Sequence, residues 1–262
     1  MRDIKDGKRR KIHLLCGAEL YRLLHGMPLY AASVVLLAFL ALCLPLSALR
    51  LLPAAWGTDA SALLRSMLFP ALPFGAAALC PFLVGKDSLR AKVSAGAGRG
   101  ALLCACAASC TACLLALYTA AFLFIVLSGA WLGFGSAGAS GYFLCYLCGA
   151  ALCASCCTFC VALCCVVGER SLSLLLCLAA VPLGYTLAEG VQALALACAV
   201  QGGGAPALPL LLSLLPYLLP QGTVGALQNG AAAYPLYILL ALLFSLLSLA
   251  FGRAGFRCRA LA

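Results

Sequence analysis

YFLCYLCGAALCASCCTFCVALCCVV, residues 142–167, runs for 26 residues without a charge and carries eight of the chain's cysteines. Two readings compete for it. Cysteines at this density in a short secreted chain would mean a disulfide scaffold. A continuous apolar run of this length, however, exceeds the roughly 20 residues a helix needs to cross about 30 Å of hydrocarbon, and in lipid a cysteine serves as a small hydrophobe. CxxC spacings occur at Cys110/Cys113, Cys145/Cys148, Cys153/Cys156 and Cys157/Cys160, but only two histidines exist and no carboxylate accompanies the pairs. The run is therefore read as a membrane helix rather than a zinc or thiol centre.

The rest of the chain agrees. Apolar residues make up 65% of the 262 residues and charged ones 9%, far from the roughly 25% charge of soluble domains. Seven acids and seventeen bases cannot cover the surface of a water-soluble fold of this size. The same length filter finds five further spans, at 29–49, 67–84, 101–127, 171–188 and 234–251, none containing Lys, Arg, Asp or Glu. Continuous runs argue against a β-barrel, whose strands alternate. The expected fold is all-α: six transmembrane helices, an N-terminal amphipathic elbow helix and an outer re-entrant segment before the last span. The first apolar stretch is long enough to remain as an anchor rather than a cleaved signal.

Six spans place both termini on one side. Fifteen basic residues then share that side and only Arg50 and Arg65 fall on the other, which marks the crowded side as cytoplasmic. The division is residues 1–28 as basic tail and interfacial elbow, 29–252 as the six-span body, and 253–262 as a basic cytoplasmic tail. Within the elbow, KIHLLCGAELYRLLHG (11–26) sets Leu14, Ala18, Tyr21 and Leu24 at helical spacing with Lys11, Glu19, Arg22 and His25 on other faces, as an interfacial helix does. Within the body, the segment 85–100 is a cytoplasmic loop holding Lys86, Arg90, Lys92 and Arg99, with Gly96, Gly98 and Gly100 expected to keep its end flexible. The segment 200–231 lies outside, its apolar part 208–219 reaching only about 18 Å as a helix, too short to cross.

Catalytic signatures do not appear. There is no HExxH, no GxSxG and no GxxxxGK[ST], so the chain has no P-loop of its own. Gly133, Gly135 and Gly138 fit GxGxxG, but without a preceding strand the spacing is read as chance. Glu189 and Gln192, at the outer end of the fifth span, are the polar exception: either interfacial groups or part of a solute path.

The order of parts resembles the permease subunit of a type-2 ABC transporter. The likeness covers essentially the whole chain, with local matches in FLVGKDSLRAKVSAGAGRGALLCA (82–105), LPYLLPQGTVGAL (215–227) and the terminal FGRAGFRCRALA. It implies an exporter moving solute with ATP hydrolysed by a separate cytoplasmic ABC ATPase, which holds ATP and Mg. It also implies a second permease chain as partner, a plasma-membrane location and no nucleic-acid role. The segment after the second span would couple to the ATPase through Asp87, Ser88, Leu89, Arg90, Lys92, Val93 and Arg99, with Glu169 and Arg170 as a second contact. Asp87, and the apolar Leu89 and Val93 set between basic positions, suit a docking face better than a purely topological charge cluster. The rival readings are a gradient-driven transporter or channel and, behind it, a membrane thiol or metal enzyme.

Overall fold

The computed structural model describes residues 17–18, 20–21, 25, 64–84, 86–94, 96–131, 139–201, 214–228 and 233–258. Among these residues the structure is helical, with no strand. A π-helical run, Leu64–Leu68, leads into α1 (Phe69–Leu83). Then come α2 (Lys86–Ser94), α3 (Arg99–Trp131), α4 (Ala139–Val167), α5 (Arg170–Gln201), α6 (Pro220–Gln228) and α7 (Tyr234–Cys258). Five of these helical stretches are long and apolar enough to cross a membrane, those built on α1, α3, α4, α5 and α7. The expected first span, 29–49, lies outside the described residues. So does most of the expected elbow, of which Gly17, Ala18, Leu20 and Tyr21 are helical, Leu20 packs on the core and Tyr21 stacks on His25.

Residues 142–167 form the centre of the bundle. Helix α4 packs against α7, α3, α1 and α5, and all eight of its cysteines are buried. The reason is volume. Cysteine, alanine and glycine let backbones approach, and in lipid helix association rests on such close packing. A side chain at Gly252 of α7 would meet Ala162, and one at Gly255 would meet Val166. A Cβ at Gly149 would overlap the ring of Tyr118 on α3, whose hydroxyl donates to the carbonyls of Cys145 (3.4 Å) and Tyr146 (3.5 Å). Tyr118, Phe122 and Tyr146 form a ring cluster with centroids 5.3–5.8 Å apart. By contrast, α5 and α7 turn leucines outward, among them Leu175, Leu183, Leu239 and Leu246, as helices bordering lipid do.

The helices extend beyond the apolar runs. Helix α3 starts at Arg99 and α7 continues through Arg253 and Arg257, because basic side chains at helix ends reach toward the interface while their stems stay on apolar surface. Helix α5 continues to Gln201 rather than stopping near 188. Its added residues include the run Ala193–Ala197 of alternating alanine and leucine, strong helix formers.

The segment before the last span folds inward. Residues 214–218 form a helical turn, Leu219 a bend and 220–228 helix α6, packed on α5, α1 and α7. Thr223 Oγ1 donates to the Tyr217 carbonyl (2.9 Å) across the bend. Gln221 is buried against Gly184 of α5, so residues 214–228 are set into the bundle rather than lying over it.

Candidate functional site

Most of the residues singled out between the expected second and third spans lie on α2, a helix where the sequence leads one to expect a loop with a flexible end. The correction is local. Asp87, Ser88, Leu89, Arg90, Lys92 and Val93 all fall within one nine-residue helix, and its end is closed by a cap. The Ala97 N–H bonds the Lys92 carbonyl (3.0 Å) and the Gly96 N–H bonds the Val93 carbonyl (3.0 Å), with Gly96 at φ 84°. This is the paired bonding of a glycine-terminated helix, where the left-handed residue is best supplied by glycine. The glycine that looked like a source of slack instead fixes the turn into α3. Gly98 accepts the first bond of that helix from Leu102 (2.9 Å).

Helix α2 is anchored on one side. Leu89 is 1% exposed and belongs to the main core, and Val93 packs half-buried against the same core. Lys92 is partly buried, and that desolvation draws its amine pKa below the ordinary lysine value. The apolar positions expected on the docking face are thus turned to the bundle instead: Leu89 is core, closed to a partner, and Val93 packs beside it.

Arg99 is separated from the α2 set. Its Nη1 donates to the carbonyls of Phe256 (3.0 Å) and Arg257 (3.0 Å), and its guanidinium carbon stands 5.8 Å from the Phe256 ring centroid. These contacts cap the C-terminal end of α7, where carbonyls lack intrahelical partners and the helix dipole favours a cation.

Glu169 and Arg170 occupy the tight turn between α4 and α5. Gly168, at φ 75°, ends α4 with its N–H on the Cys164 carbonyl (2.8 Å). The Glu169 carbonyl accepts the Ser173 N–H (2.8 Å), starting α5. Both side chains are exposed. The Arg170 guanidinium sits 4.5 Å from the centroid of the Phe82 ring on α1, a cation–π distance. Since α1 runs into α2 within a few residues, this contact brings the two sequence-selected segments to one end of the bundle.

Glu189 and Gln192 lie within α5, not at its end, and both are exposed. Neither faces the buried core. The buried polar side chains among the described residues are Ser109, Ser155, Thr158, Ser173, Gln221, Thr223, Ser245 and Ser248, all neutral. Among the described residues no group of three or more His, Cys, Asp or Glu side chains is arranged to hold a metal ion. Gly133, Gly135 and Gly138 lie outside the described residues. What the sequence reading passed over is the pair Arg253 and Arg257. They were assigned only to a basic tail, yet they fall on the last two turns of α7 beside the start of α3, and their i, i+4 spacing was the signal.

No protein-family model matches the chain, and no curated protein matches it.

Proposed function

We propose that this membrane protein is the membrane-spanning permease subunit of an ATP-binding-cassette exporter of the type-2 class. In this reading residues 29–49 supply the first of six spans, residues 11–26 form the elbow, and both termini face the cytoplasm across the plasma membrane. Two permease chains pair, each docked on a separate ATPase that binds ATP and Mg. Helix α2 carries the docking set, Asp87, Ser88, Arg90 and Lys92, with the Glu169–Arg170 turn beside it. Glu189 and Gln192 border the solute path only where a second chain meets α5.

The observation that supports the reading is the anchoring of α2. Leu89, almost wholly buried, couples a short basic helix mechanically to a membrane bundle. A push on the polar face of α2 is delivered through Leu89 and Val93 to the core, and through the Gly96 cap to α3. Packed cores transmit such displacements because they deform little.

The test is purification of the full chain from its native membrane, with identification of what accompanies it. Recovery of a P-loop ATPase with the wild type, and its loss with Arg90→Glu/Lys92→Glu while the chain stays monodisperse, is expected. A chain that transports without nucleotide, or an ATPase that stays bound to the charge-reversed variant, overturns the proposal.

A further inference from the structure

At the basic end of the bundle, α3 and α7 line a groove of about 650 Å³. Its floor is made by small residues, Gly100, Ala101 and Cys104 on α3 and Ala250 and Ala254 on α7. Leu103 and Leu249 close its deeper end, and Arg253 and Arg257 border the end nearest the helix termini. From Leu249 to Arg257 the groove follows α7 for eight residues, about 12 Å at helical rise. It is thus apolar along its length and cationic at one end.

We propose that this groove binds an anionic phospholipid of the leaflet at the basic end of the bundle, the phosphate held by Arg253 and Arg257 and an acyl chain laid along Ala250, Leu249 and Cys104. This inference goes beyond the transport reading and does not depend on it.

Charge complementarity identifies the occupant. Both arginines are exposed, and neither pairs with a carboxylate among the described residues. Guanidinium groups one helical turn apart on one face present converging donors suited to a phosphate. The opposing effect is the helix dipole, since the C-terminal end of a helix repels anions. Here that effect is offset. Arg99 already donates to the Phe256 and Arg257 carbonyls, so the terminal carbonyls carry a cation and the anion meets a positive end. The apolar remainder of the groove separates a lipid from a free anion: a soluble phosphate would use only the cationic mouth, leaving Leu249, Ala250 and Cys104 uncovered, whereas a lipid fills both parts.

The groove exists because of its small residues. Gly100 lies against the Arg253 side chain, where an added Cβ would come within 3.7 Å of Nε. Gly252, on the same two turns, sits close to Ala162 and Leu103. Those contacts hold α7 close to both α4 and α3.

The experiment places the full-length chain in nanodiscs of equal parts phosphatidylglycerol and phosphatidylcholine. The chain is then released into mild detergent and the retained lipid counted by native mass spectrometry. Both lipids carry the phosphate, but the choline cation cancels its charge in phosphatidylcholine, so two arginines at the site imply a preference for phosphatidylglycerol of roughly tenfold or more. Arg253→Gln/Arg257→Gln is expected to reduce that preference to near parity, while Arg170→Gln, at the same end but outside the groove, leaves it unchanged. Ala250→Trp fills the apolar part at an exposed position and keeps both charges, and is expected to abolish retention. Parity in the wild type, a preference that survives the double Gln variant, or retention unaffected by Ala250→Trp overturns the proposal. Displacement of the bound lipid by excess inorganic phosphate also overturns it, in favour of a free-anion site.

Discussion

Arg99 and Phe256 are 157 positions apart in sequence, and one guanidinium nitrogen joins them: Arg99 Nη1 donates to the Phe256 carbonyl at 3.0 Å and to the next carbonyl at the same distance. The first residue of one spanning helix therefore closes the last turn of another. Removing it should act on stability. Arg99→Ala leaves two terminal carbonyls without their charged donor, a loss of about 1.5–3 kcal/mol for a hydrogen bond to a charged group, with the low end expected at this partly exposed site. A lowered thermal midpoint in detergent is the expected result. Arg90→Glu, on α2, is expected to leave the midpoint unchanged while weakening ATPase recovery, and that difference separates capping from docking. An unchanged midpoint in Arg99→Ala would show that the cap contributes nothing.

Gly96 supplies a second test. At φ 84° a residue with a Cβ pays roughly 1–2 kcal/mol for the left-handed conformation, although nothing lies within 4 Å of an added Cβ. Gly96→Ala should accordingly speed hydrogen exchange at the end of α2 through backbone strain alone, and Gly96→Asn should do so less. Gly98→Ala is the control, since its φ is ordinary and the space around it is open. Equal exchange in Gly96→Ala and Gly98→Ala would remove the cap from the account of how α2 is joined to α3.

The all-helical, membrane-spanning class was legible from residues 142–167 and their neighbours because it rests on length and hydrocarbon thickness, which a sequence carries directly. The short helix α2 was only half legible. The spacing of Leu89 and Val93 announced an apolar face, but three glycines in five residues looked like slack, and whether a glycine loosens or terminates a helix depends on a dihedral angle. The ends of α3, α5 and α7 were missed for a related reason: a hydropathy filter stops at the first charge, whereas Arg99, Glu189 and Arg253 continue their helices with exposed or capping side chains. The central role of α4 could not be read at all. Its cysteines looked like hydrophobes with no preferred side, and only the packing of four neighbours around it shows that their small volume matters.

Gly222 tests how the segment between the last two spans is set into the bundle. Its Cα faces the Pro216 backbone across the bend at Leu219, and an added Cβ would overlap the Pro216 carbonyl and approach Ala188. A backbone group cannot rotate away, so Gly222→Ala should separate the two arms of the segment and lower the thermal midpoint by more than a surface substitution does. Gly190→Ala, with nothing within 4 Å of its added Cβ, should instead be neutral or stabilise α5 by up to about 1 kcal/mol. Similar midpoints for the two variants would mean that the arms do not meet as described.

The contact between α4 and α5 can be tested through their thiols. Cys164 Sγ and Cys177 Sγ lie 3.9 Å apart in the core, and Cys177 Sγ stands 3.8 Å from the Cys160 carbonyl. A disulfide needs sulfurs at about 2.05 Å with a dihedral near 90°, so closure requires a shift of under 2 Å shared by two helices joined through the Gly168 turn. Treatment with copper phenanthroline in air, which removes two electrons and two protons from the pair, should protect Cys164 and Cys177 together from later alkylation in denaturant, where burial no longer shields them. Peptide mapping should then recover one cross-linked species. The exposed Cys104 and Cys258 have no thiol partner of this kind among the described residues and should remain alkylatable. Replacing either member, as Cys164→Ala or Cys177→Ala, should abolish the cross-link and leave the other cysteine singly modified. If Cys164 and Cys177 are instead alkylated independently after oxidation, while Cys177 is trapped with a thiol on another helix, the packing of α5 against the cysteine-rich centre is not the one described.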